Sequence, residues 1–186
     1  MGLKEIQEQF VKLSLDKQTR ERAFEVNSDL ASEFTDQEQS LKNHAFSLVR
    51  KRLGAVKGIL SSTRAVLGDY FDEEFLKYAH TSPSPIGLNR HRSDAINFSD
   101  WLIKKLSATG HHKGIDVLLS HELVPVQMWI NKKQFCLQFY LRNPSQLIEL
   151  SRKYSSISRA RISPTLMIWK EAPNGALGYH WRSFSL

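Results

Sequence analysis

The sequence predicts an α+β fold: a helical N-terminal lobe over residues 1–130, then a small β-α-β-β lobe over residues 131–186 with a three-stranded antiparallel sheet. Three observations predict it. Apolar residues recur at helical spacing through most of the first 130 positions. From Lys132 the pattern changes to alternation, in KKQFCLQFYLR. The closing PTLMIWKEAPNGALGYHWRSFSL holds two strand-like runs meeting at Pro173-Asn174-Gly175, and Asn-Gly is a strong hairpin signal.

Each element has its own justification. LKEIQEQFVKLSLD places Leu3, Ile6, Phe10 and Leu13 on one helical face, and Asp16 is positioned to cap KQTRERAFEV. The next stretch predicts a short helix and then a longer one, with Thr35 and Glu38 forming a capping box between them. DEEFLKYAH has an acidic first turn and buries Phe75, Tyr78 and Ala79, while Pro83 and Pro85 end it. SPIGLNRHR is predicted as an irregular connector, after which SDAINFSDWLIKKL resumes as a helix. GIDVLLSHELVPVQMWI supplies one more helix, interrupted or ended near Pro125. In the second lobe, Phe135, Leu137, Phe139 and Leu141 alternate with Cys136, Gln138 and Tyr140. Asn143 caps a helix that has Pro144 at its first position.

Composition narrows the function. At 41% hydrophobic and 10% aromatic, the chain supports a core. No apolar run approaches a membrane span, and the polar N-terminus lacks the apolar core of a signal peptide, so a cytoplasmic protein is expected. A single cysteine, Cys136, excludes an internal disulfide. Net charge is +7 but unevenly placed. Residues 1–40 hold 5 Lys/Arg against 9 Asp/Glu, residues 41–102 hold 9 against 6, and residues 103–186 hold 12 against 4. The basic C-terminal half points to an acidic peptide, an acidic protein or nucleic acid.

The titratable residues do not assemble into a catalytic pattern. His111, His112, His121 and Glu122 straddle a glycine-containing break instead of sharing one helical turn, so surface or capping roles compete with metal binding. Cys136 in an alternating strand is a small packing residue before it is a nucleophile. No nucleophile elbow, phosphate loop or dinucleotide fingerprint occurs, and a non-enzymatic role with no cofactor in this chain is expected.

Two binding modes remain. Basic clusters, from Arg50-Lys51-Arg52 to Arg152-Lys153, suit phosphate contacts to nucleic acid. A small sheet also leaves edges to which an extended peptide can add. In that mode Phe135, Leu137, Phe139, Trp169, Tyr179 and Trp181 line the peptide, while Arg152, Lys153, Arg159 and Arg161 receive its acidic residues.

The stretch SLVRKRLGAVKGILSSTRAVLGDYFDEEFLKYAHTSPSPIGLNRHRSDAINFSDWL carries a longer pattern. It has a basic pair, Thr-Arg before Leu-Gly, Phe-x-x-x-Phe, Tyr-Ala, a proline turn, Arg-His-Arg, Asp-Ala and a closing Trp-Leu. This resembles the small bacterial partner proteins of multinuclear non-haem iron peptide oxidases. The resemblance implies a heterodimer in which the partner subunit holds the iron and this chain binds the leader of a ribosomally made precursor peptide. It implies that the oxidase uses O₂ to convert peptide cysteines to oxazolone and thioamide groups. Docking on the oxidase would then fall to the helical lobe, through Arg90, His91 and Arg92. Some relatives carry a DNA-binding label, so nucleic acid stays open as the alternative.

Overall fold

The computed structural model describes residues 28–109, 114–154, 157, 161–171 and 179–185, with side-chain environments from Asn43 onward except at 108–109, 154, 179–180 and 185. The helices expected before Ser28, the Asn-Gly turn, His111, His112 and Arg159 lie outside the described residues. Among the described residues, six helices and three strands follow in the order α1 (Ser28–Ile59), α2 (Ser61–Leu67), α3 (Asp69–Thr81), α4 (Arg90–Thr109), α5 (Ile115–Ile130), β1 (Phe135–Tyr140), α6 (Pro144–Tyr154), β2 (Thr165–Glu171) and β3 (Tyr179–Ser185). The α+β fold is thus as predicted, helices first and a small antiparallel sheet last.

The chain forms two compact units, Met1–Lys51 and Arg52–Leu186. In the first, α1 runs unbroken past Thr35, so the capping box expected there sits inside a helix. Its exposed Phe46 ring carries the Arg50 guanidinium at 4.7 Å.

The second unit has two packed regions. In one, Phe71, Phe75 and Tyr78 of α3 meet Phe98 of α4, with ring centroids 5.0–5.5 Å apart. Beside them Arg52 grips the buried Asp94 carboxylate with two bonds of 2.8 and 2.9 Å, and the Tyr78 hydroxyl donates a third at 2.9 Å. Arg52 also donates to the Ser82 carbonyl at 3.3 Å, tying off the end of α3. The guanidinium pKa is raised, chiefly by its hydrogen bond to Asp94. A buried charge is tolerated only when paired and hydrogen-bonded in this way.

In the other region the sheet, ordered β1-β2-β3 and antiparallel throughout, packs one face on α5. Val124 and Met128 of α5 close on Tyr140, Met167 and Trp169. α5 passes through Pro125 without ending. Proline deprives the helix of one hydrogen bond, but burial of Val124, Val126 and Met128 offsets that loss. α4 likewise begins at Arg90, not after Arg92, so three basic residues expected in a connector form a helix's first turn. The α6 cap is as the sequence predicts: Asn143 Oδ1 accepts from Ser145 N at 2.9 Å, with Pro144 as first residue. α2 has no cap of its own. Glu122 of α5 accepts from Ser62 N, Thr63 N and Thr63 Oγ1 at 2.6, 3.2 and 2.7 Å. Burial raises the Glu122 pKa despite those three bonds.

Among the described residues no helix is long and apolar enough to cross a membrane.

Candidate functional site

The register decides what the sheet can offer. Glu171 N donates to Gln134 O at 2.9 Å, just beyond the Phe135↔Lys170 pair. In an antiparallel ladder hydrogen-bonded and non-bonded pairs alternate. Cys136, Gln138 and Tyr140 therefore turn their backbone groups toward β2, while Phe135, Leu137 and Phe139 turn theirs away, toward an edge with no strand partner among the described residues.

The same three residues show their side chains to solvent: Phe135, Leu137 and Phe139 are 54%, 52% and 54% exposed. Across the sheet they are continued by Leu166, Ile168, Phe184 and Arg182. The other phase, Cys136, Gln138 and Tyr140, faces α5 with Met167 and Trp169. The strand FCLQFY carries no charge and no proline. Edge strands are ordinarily protected by such residues, so this edge is open in a physical sense.

A groove of about 450 Å³ lies between α5 and this edge, lined by Gly114, Asp116, Val117, Ser120, Phe139, Tyr140, Leu141 and Arg142. Gly114 sits at φ 99°, where a side chain is strained, and a Cβ there would come within 3.4 Å of Arg142 Nη1. Asp116 Oδ1 accepts from Gly114 N at 3.1 Å and holds this corner. The Tyr140 hydroxyl is buried without a hydrogen-bond partner, and burial pushes its pKa up to about 12. The groove thus joins apolar walls to the Arg142 cation, the Ser120 hydroxyl and the neutral Tyr140 phenol.

The structure separates the residues that the sequence groups as peptide-lining. Phe135, Leu137 and Phe139 share the open edge. Trp169 is 5% exposed on the opposite face, its ring 4.9 Å from His121, so it supports the sheet from beneath instead of meeting solvent. Trp181 pairs with Trp169 in register and is 41% exposed; Tyr179 opens β3 opposite Glu171. Arg152 and Lys153 are exposed in the last turn of α6, where cations complement the helix pole. Arg142, Ser120 and Val117 escape the sequence reading. The Arg142 signal is its place at the end of FYLR, directly before the Asn143 cap.

His121 and Glu122 point to separate tasks. Glu122 caps α2, while His121 is enclosed by Tyr140, Trp169 and Trp181 with its Nδ1 unpartnered. Among the described residues no three of His, Cys, Asp or Glu cluster as metal ligands would. Burial lowers the His121 pKa to about 4. The unfolded chain takes up this proton near pH 6.5, so stability is full above that and falls as pH drops toward 4, by about 3 kcal/mol. Denaturant titrations between pH 4 and 8 check this, and His121→Phe should flatten the slope in that window.

Residues 33–104 match the model of the SCO6045-like, C-terminal domain. No curated protein matches the chain, and no solved structure does. The SCO6045-like segment runs from within α1 to near the end of α4 and holds Arg52, Phe71, Phe75, Tyr78, Asp94 and Phe98. These residues are the aromatic core and its buried ion pair, so the pattern quoted above is largely a packing signature. The sheet and its open edge lie beyond the SCO6045-like segment.

Proposed function

We propose that this chain is a non-catalytic, peptide-recognising subunit of a peptide-modifying iron oxidase complex. The observation that carries the peptide part is the β1 edge: an uncharged strand whose Phe135, Leu137 and Phe139 present side chains and free backbone groups together. A leader peptide adds there as a fourth strand, its side chains alternating between the exposed sheet face and the α5 groove. Arg142 receives an acidic residue, and Ser120 and Tyr140 supply hydrogen bonds. The oxidase part rests on the sequence resemblance, in which the C-terminal strand-helix-hairpin looks like that of the methanobactin-biosynthesis partner protein MbnC. In this reading the partner subunit holds the iron and modifies the precursor's cysteines to oxazolone and thioamide groups.

Co-expression with a candidate oxidase and precursor tests it. The expected outcome is co-purification of all three and a peptide mass change that requires this chain. Arg142→Glu should weaken an acidic leader about tenfold, while reversing Arg152 and Lys153, away from the groove, should matter less. Salt-sensitive duplex DNA binding with neither peptide nor oxidase binding would overturn the reading in favour of nucleic acid.

A further inference from the structure

The connector between α3 and α4 holds the two most exposed large apolar side chains among the described residues, Ile86 at 99% and Leu88 at 103%. Gly87 between them adopts φ 102°, and its carbonyl accepts from Arg90 N at 3.2 Å, closing a turn that holds both side chains outward. Neither contributes burial to the fold.

The flank is basic. Arg90 is exposed, and the Arg92 guanidinium lies 4.8 Å over the half-exposed Trp129 ring. From Pro83 to Ser93 there is no acidic residue, and Asp94 is buried under Arg52. Cations in a helix's first turn oppose its positive pole, so Arg90 and Arg92 do not serve α4. The knobs gain the fold nothing, and the arginines are set against it.

We propose that this connector, with Trp129 beside it, is a docking prong for a protein partner that presents an apolar cleft rimmed by carboxylates. Charge complementarity selects the rim, and the paired aliphatic knobs select the cleft. A membrane fits less well: Ile86 and Leu88 together carry fewer carbons than a myristoyl chain, which alone binds bilayers only marginally. Nucleic acid fits less well because the outward Ile86 and Leu88 offer a phosphate backbone no favourable contact. The assignment rests on the proposed function, in which the partner is the oxidase.

The test compares the purified oxidase and the leader peptide as separate ligands. The variant Ile86→Ser/Leu88→Ser should keep the wild-type melting temperature and leader affinity, yet bind the oxidase about a hundredfold more weakly. Arg90→Glu should weaken oxidase binding in a salt-dependent way. Undiminished oxidase binding by the double variant would overturn the docking assignment and leave the functional reading standing. Failure of the wild-type chain to bind the oxidase would overturn both. Binding to phosphatidylserine vesicles or duplex DNA that the double variant loses, with oxidase binding intact, would reassign the prong to that surface.

Discussion

Arg52→Leu should lower the free energy of unfolding by about 3–5 kcal/mol, since it strands Asp94 as a buried, unpaired carboxylate. That is a large share of the roughly 5–15 kcal/mol that holds a typical domain folded. Three groups depend on the pair: the Tyr78 hydroxyl, the Ser82 carbonyl at the end of α3, and the aromatic cluster around Phe98. Burial and the bond to Asp94 hold the Tyr78 phenol well above its ordinary pKa, so it stays a donor. Replacing both partners, Arg52→Leu with Asp94→Leu, should recover part of the loss, because the penalty lies in the unpaired charge. Urea titration by tryptophan fluorescence checks the series. If the double variant were no better than the single, backbone disruption and not charge would be the cause.

Leu137→Pro and Gln138→Pro should separate folding from binding. Proline removes one backbone N–H, and it is tolerated where that N–H points away from the sheet. Leu137 directs its N–H to the open edge and Gln138 directs its N–H to β2. Leu137→Pro should therefore cost little stability but weaken an added peptide strand at least tenfold. Gln138→Pro should destabilise the sheet by roughly 1–3 kcal/mol through a lost and unsatisfied ladder bond. Calorimetric melting with peptide titration reads both. Equal destabilisation by the two prolines would mean that the ladder phase is other than assigned.

Much of the fold is legible in the sequence because local rules decide it: period two in FCLQFY, the Asn143-Pro144 helix start, the helical spacing of Phe71, Phe75 and Tyr78. The phase of β1 is not legible. Alternation alone leaves open which set of side chains is covered. Here Tyr140, Met167 and Trp169 are buried on the α5 side, and the phenylalanines of β1 lie outside. The cap of α2 is invisible locally because Glu122 arrives from α5, far along the chain. Pro125 misleads local rules because the burial of Val124, Val126 and Met128 overrides it. The candidate site is legible in part. Phe135, Leu137 and Phe139 stand out by pattern, whereas Arg142, Ser120 and Tyr140 converge only once α5 lies along the edge.

The central claim is that a peptide adds as a strand to β1, and backbone amide exchange tests it most directly. Exchange rates of the chain with and without its leader peptide, read residue by residue by NMR, should slow at Phe135, Leu137 and Phe139. Cys136, Gln138 and Tyr140, already bonded to β2, should change far less. A peptide that binds while the Phe135, Leu137 and Phe139 amides stay unprotected, or that protects Trp181 and Ser183 on β3 instead, would contradict the account.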